Sequence, residues 1–145
     1  MGVLNLSKRK VTSTHPSATV QETVEKMAEL EISAILVMEN GELRGIFTER
    51  DLLRRVVATR LNPKELPISE VMSSPTKTVL ASDSPEDALR IMRECEIRHL
   101  PVVDPKVGVL GILSLPLLLN HRIDQLNSET ESLAAFINAD GPGGD

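Results

Sequence analysis

The chain repeats itself. At an offset of 65 residues, "TVQETVEKMAELEISAILVM" (Thr19 to Met38) lies over "SPEDALRIMRECEIRHLPVV" (Ser84 to Val103), so that Met27 meets Met92, Glu31 meets Glu96, Ile32 meets Ile97 and Val37 meets Val102. One extra residue in a turn moves the offset to 66, after which Gly45-Ile46 meets Gly111-Ile112 and Leu52-Leu53 meets Leu118-Leu119. A unit of this size has too little interior to stand alone, so two must pack together and share a core. The expected fold is α+β: two β-α-β-β-α units, residues 11–60 and 76–122, packed sheet against sheet, with residues 61–75 as the connection.

Local signals support each element. Thr19 with Glu22 fits a capping box, and Ser84 followed by Pro85 fits a helix start with proline in the first turn. Val20, Val24, Met27 and Ala28 mark one apolar stripe, and Ala88, Leu89, Met92 and Cys95 the other. Each helix is followed by an apolar run, a turn ("ENGE" or "DPKVG") and a second run ending in "RGIF" or "LGIL", which read as β-hairpins. Downstream, Leu119, Ile123, Leu126, Leu133 and Ile137 recur at helical spacing along a narrow seam, predicting an amphipathic helix over 123–138. That seam either packs on its own domain or forms a subunit contact. The end, residues 139–145 ("ADGPGGD"), reads as a mobile tail.

Composition narrows the function. Among 145 residues there are two Phe and no Trp or Tyr, so the core is built from Val, Ile, Leu and Met, and the usual aromatic platform for stacking bases is missing. A net charge of −5 disfavours polyanions such as nucleic acid, though not a small phosphate in a local basic cleft. Cys95 is the only cysteine, which excludes an internal disulfide and suits a reducing compartment. No stretch approaches the roughly 18 continuous apolar residues of a membrane span. A cytoplasmic protein is expected. His15, His99 and His121 share no metal-ligand spacing with one another or with Cys95, and no serine elbow or acid pair is set for catalysis. Neither a metal site nor an enzyme is expected.

The doubled pattern resembles a pair of cystathionine-β-synthase (CBS) domains. The first copy carries it in "HPSATVQETVEKMAELEISAILVMENGELRGIFTERDLL" and the second in "VMSSPTKTVLASDSPEDALRIMRECEIRHLPVVDPKVGVLGILSLPLLL". The resemblance implies tandem CBS domains related by pseudo-twofold symmetry, a stand-alone regulatory module whose cleft binds AMP, ADP, ATP or another adenosyl compound, with no required cofactor. The family's glycine-apolar-apolar-[ST]-x-x-D motif falls on Gly45, Thr48 and Asp51, the hydroxyl facing a phosphate and the acid holding the ribose. Adenine contacts are implied at Ile97, Arg98 and His99, with Thr78 and Leu80 nearby, and at Ile32, Ser33 and Ala34 for the opposite site.

Elementary chemistry agrees with that carry-over. A helix starting at Thr48 presents backbone N–H groups and a positive dipole end to an anion, and one carboxylate accepts both hydroxyls of a diol. Thr48-x-x-Asp51 is equally a helix cap. The second copy, "GILSLPL", starts a helix from Ser114 with Leu117 in place of the acid, so helix initiation does not demand one. The pair is therefore expected to keep one nucleotide site and to have lost the other, where Ser114, Arg98 and His99 retain at most a phosphate contact. Arg98 and His99 are either a phosphate clamp or a solvent-facing pair. Arg50 either reaches the phosphate or stays solvated, and Lys8, Arg9 and Lys10 either line the cleft mouth or form an exposed charge run. The expected protein is a homodimer that signals to an unknown regulated enzyme or transporter; the alternative is a structural dimerisation module with an empty cleft.

Overall fold

The computed structural model describes residues 2–5, 7, 11–74 and 76–140, with side chains as far as residue 135. Strand β1 (Ser13–Thr14) leads to helix α1 (Val20–Leu30), then to the hairpin β2 (Ala34–Glu39) and β3 (Glu42–Thr48). Helix α2 follows as a single α-turn, Glu49–Asp51, that runs into a π-helical stretch, Leu52–Val57. The second unit repeats the order: β4 (Val79–Leu80), α3 (Pro85–Cys95), β5 (His99–Asp104), β6 (Gly108–Ser114) and α4 (Leu115–Asp140). Two three-stranded sheets result, ordered β1-β2-β3 and β4-β5-β6.

The repeat extends to fine geometry. In each sheet the first strand is parallel to the second and the second antiparallel to the third, with a register shift at Val37/Met38 and again at Val102/Val103. Both helices end on a glutamate in the left-handed region, Glu31 and Glu96, each with φ 54°. Thr19 and Ser84 cap α1 and α3 through the N–H groups of Glu22 and Asp87, and at α3 the Asp87 carboxylate completes a reciprocal box. Ser84 thereby holds the Asp87 carboxyl below its ordinary value, assisted by Arg90. The hairpin turn at Asn40 and Gly41 has both residues at positive φ, 52° and 77°, as a tight Asn-Gly turn requires.

Strand alternation divides the core. Ile35, Val37 and Phe47 face α1 with Val20, Met27 and Val56, while Leu100, Val102 and Leu113 face α3 with Ala88 and Met92. The opposite faces meet: Ala34, Leu36 and Ile46 form a buried cluster that Val109 and Ile112 of the other sheet join. Each fully buried aliphatic side chain here contributes about 1.5–3 kcal/mol of apolar burial.

Residues 61–75 do more than connect. Ile68 and Val71 are buried in the first unit's core, and Val3, 65 positions before Ile68, is buried in the second unit's core. The backbone repeats this exchange, since Ile68 N donates to Ala18 O at 2.8 Å and Val3 N to Asp83 O at 2.9 Å. The segment preceding each unit thus completes the other's interior.

Three sequence readings are corrected. Cys95 is exposed, because burial on α3 ends with Met92 and the chain turns off at Glu96. Ala28 is exposed as well, and Thr23 takes the inner face of α1, its hydroxyl satisfied by Thr19 O at 2.9 Å. The last helix of the second unit and the terminal helix are one continuous element of 26 residues, with Leu119, Ile123, Leu126 and Leu133 exposed, so the seam does not pack on its own domain. Residues 141–145, most of the expected tail, lie outside the described residues.

Candidate functional site

Asp51 is buried at the turn where β3 becomes α2. Its carboxylate oxygen Oδ2 accepts from Thr48 N at 3.0 Å and from Thr48 Oγ1 at 3.2 Å, and Asp51 N in turn donates to Thr48 Oγ1 at 3.2 Å. The other oxygen, Oδ1, accepts from Ser73 Oγ at 3.1 Å and lies 3.7 Å from Arg55 Nε. One side-chain hydroxyl therefore rests on each oxygen of a buried carboxylate. The cap expected of Thr48-x-x-Asp51 is made, and the carboxylate also reaches beyond its own helix to Ser73.

The backbone explains how Ser73 comes so close. Ser73 pairs with Ile46 on the edge of β3 through two hydrogen bonds, Ile46 N to Ser73 O at 3.0 Å and Ser73 N to Ile46 O at 2.8 Å. Gly45 permits the approach, since a Cβ there would stand 2.7 Å from Met72 Sδ and 2.8 Å from Ser73 O. Its role in this geometry is close backbone passage. Beyond Ser73 the chain walls an open cavity of about 480 Å³ lined by Leu43, Arg44, Met72, Ser74, Thr76 and Thr78. Asp51 does not line this cavity; Ser73, between two lining residues, connects them.

Among the other expected residues, Ser33, His99 and Arg50 make contacts between the two units. Ser33 Oγ and His99 Nε2 are 3.0 Å apart, and Arg50 Nη1 donates to Glu96 O at 3.0 Å. Burial holds the His99 imidazole below its ordinary pKa; Glu49 opposes that shift and Arg98 reinforces it. Arg98 is exposed, Ile97 is half-buried against the second core, and Ala34 is buried in the cluster between the sheets. Ile32 is half-buried on the first core. Leu80 is exposed, with its N–H on Asp83 Oδ2 at 2.9 Å. The hydrogen bonds of Asp51 run to Thr48 and Ser73, while Arg50 bonds to Glu96 O and Ser33, assigned by the resemblance to the opposite site, bonds to His99, assigned to the Asp51 site.

The open N–H groups expected at Thr48 are largely spoken for. Glu49 N donates to Ser33 O at 3.1 Å and Asp51 N to Thr48 Oγ1. On the other copy, Leu115 N donates to Arg98 O at 2.8 Å, matching Glu49 to Ser33, and Leu117 N meets Ser114 Oγ at 3.4 Å. Leu117 packs half-buried against the second core, so the position of the acid is filled by an apolar side chain. Lys8, Arg9 and Lys10 lie outside the described residues.

Two residues escaped the sequence reading. Arg55 stands four residues after Asp51, a helical ion-pair spacing that is legible in principle. Ser73 carries no such local signal, because its contact spans 22 residues and depends on the chain crossing between units. Among the described residues, no three His, Cys, Asp or Glu side chains stand together as metal ligands, and no helix is long and apolar enough to cross a membrane.

Comparison with known proteins agrees with this architecture. The family model of the CBS domain matches residues 3–58 and 68–123, and the chain belongs to the CBS domain family, with two such domains in tandem. The meiotically up-regulated gene 70 protein of Schizosaccharomyces pombe is 39% identical over 115 residues, which is 79% of this chain and 16% of that protein. The CBS domain-containing protein YhcV of Bacillus subtilis is 34% identical over 125 residues, 86% of each chain. A solved CBS domain protein of Pyrobaculum aerophilum, complexed with AMP, has a TM-score of 0.78 at 28% identity and covers 90% of this chain and 99% of its own. The chain thus spans a small part of the fission-yeast relative and most of the compact ones. CBS-domain pairs are regulatory ligand-binding modules and generally not catalytic.

Proposed function

We propose that this module senses an adenine nucleotide in the cleft between its two units. Asp51 carries the reading, because each of its oxygens already holds one hydroxyl, from Thr48 and from Ser73, in the manner of a sugar diol. A carboxylate offers about four acceptor positions, and three are filled in the free protein. Ribose hydroxyls take the places of the two side-chain hydroxyls, and Thr48 Oγ1 is then released toward the phosphate. Arg50, Arg98 and His99 supply the remaining phosphate contacts. The base lies by Thr78 and Leu80 and against Ile97.

The neighbour solved in complex with AMP supports the ligand class. The opposite cleft, with Ile32, Ser33, Ala34 and Ser114, has Leu117 where a diol would need an acid, so one ligand binds per chain. Ligand touching both units favours one relative orientation by its difference in affinity for the two states, about 1–3 kcal/mol in coupled systems. The bias passes to an enzyme or transporter through a homodimer, for which the exposed Leu119, Ile123 and Leu126 of α4 and the repeat-matched Leu53 and Val57 of the π-helical stretch after α2 offer an apolar face.

Thermal unfolding with AMP, ADP and ATP at millimolar concentration tests the proposal. Ligand at a hundred times its Kd stabilises the native state by about 2.7 kcal/mol. A rise with at least one nucleotide, abolished in Asp51→Ala, supports nucleotide sensing. An unmoved transition with all three favours the structural dimerisation module.

A further inference from the structure

We infer that Arg55 is a positioning residue for the ligand at Asp51, coupling that carboxylate to the chain segment that walls the neighbouring cavity. The inference rests on the nucleotide reading above. Arg55 makes three contacts: Nε lies 3.7 Å from Asp51 Oδ1, and Nη1 donates to Met72 O at 2.8 Å and to Val71 O at 3.3 Å. Those carbonyls immediately precede Ser73, whose hydroxyl rests on the same carboxylate oxygen. The guanidinium therefore closes a ring of contacts, Asp51 to Arg55 to the 71–72 backbone to Ser73 and back to Asp51.

Three features make this more than a surface ion pair. The guanidinium is a rigid fork that can engage a carboxylate and a carbonyl together, which a point-charged lysine does not reproduce. The backbone it grips leads straight into Met72, Ser74, Thr76 and Thr78, four of the six residues lining the 480 Å³ cavity. Arg55 also sits in the π-helical stretch Leu52–Val57, a distortion that commonly accompanies functional positions. When a ligand hydroxyl replaces Ser73 on Oδ1, Arg55 keeps the carboxylate oriented and keeps the freed segment within reach. Once a ligand hydroxyl has displaced Ser73, loss of Arg55 leaves Asp51 capped by Thr48 and removes the remaining side-chain link to the 71–73 backbone, which then holds to β3 through the Ile46–Ser73 pair.

The test uses the full chain as wild type, Arg55→Met and Arg54→Met, the last removing an equal charge from the preceding residue, which is exposed like Arg55. AMP binding is measured by calorimetry, and hydrogen exchange of residues 71–78 is followed with and without AMP. Arg55→Met is expected to weaken AMP about tenfold, as for one charge-assisted contact, and to abolish the AMP-induced protection of 71–78. Arg54→Met should change affinity less than about twofold, in line with an exposed charge. Should Arg55→Met fail to fold, Arg55→Lys, which keeps the charge and loses the fork, is expected to lose the protection likewise. Wild-type affinity and protection in the Arg55 variant overturn the inference alone. Absence of AMP binding to the wild type overturns the nucleotide reading, and the inference with it.

Discussion

Replacing Gly45 by alanine tests the packing on which the site depends. The new methyl group would meet Met72 Sδ at 2.7 Å, Met72 Cγ at 3.1 Å and Ser73 O at 2.8 Å. The thioether can turn aside, but Ser73 O is backbone and is held by Ile46 N at 3.0 Å. Relief therefore stretches the Ile46–Ser73 pair, two hydrogen bonds worth about 1 kcal/mol each net, and adds an overpacking cost of about 1–3 kcal/mol. The expected loss is about 3 kcal/mol, or roughly 10 °C in Tm for a chain of this size. Denaturant unfolding followed by circular dichroism reads it directly. Gly41→Ala is the control: its φ of 77° imposes backbone strain of about 1–2 kcal/mol, but no atom lies within 4 Å of the added carbon. If Gly45→Ala unfolds within about 0.5 kcal/mol of wild type, the surface-substitution range, the close passage of 72–73 over β3 is wrong.

Three further outcomes follow from the same geometry. Ser73→Ala removes the hydroxyl that competes for Asp51 Oδ1, so AMP affinity by calorimetry should rise about fivefold while stability falls by about 1 kcal/mol; weaker binding would show that Ser73 assists the ligand. His99 has a folded pKa held below its ordinary value of 6.5, so the unfolded chain binds the extra proton first, and acidification downward through pH 6.5 should destabilise the fold. Unfolding midpoints across that range should flatten in His99→Gln, and an unchanged slope would place the titration elsewhere. Cys95, exposed at the end of α3, should react stoichiometrically with a thiol reagent in the native protein, whereas a buried thiol would wait for unfolding.

Much of the architecture is legible in the chain because it is written twice. The repeat aligns helices, hairpins and even the register shifts, and turn signals such as Asn40-Gly41 mark the hairpin. Features that join residues far apart are harder to read. The exchange of Val3 and Ile68 between units depends on chain crossing, to which periodicity is blind. Helical stripes mislead near helix ends, as at Cys95, where the core stops one turn before the helix does. The Thr48-x-x-Asp51 pattern is legible, and Arg55 stands at a helical spacing from Asp51, but Ser73 is placed by tertiary packing across 22 residues.

The most direct measurement counts nucleotides. Native mass spectrometry of the protein titrated with AMP should find one AMP per chain in wild type and none in Asp51→Asn, which keeps the side-chain shape and removes the charge. Two per chain, or equal occupancy in the variant, would contradict a module in which one buried carboxylate defines a single working cleft.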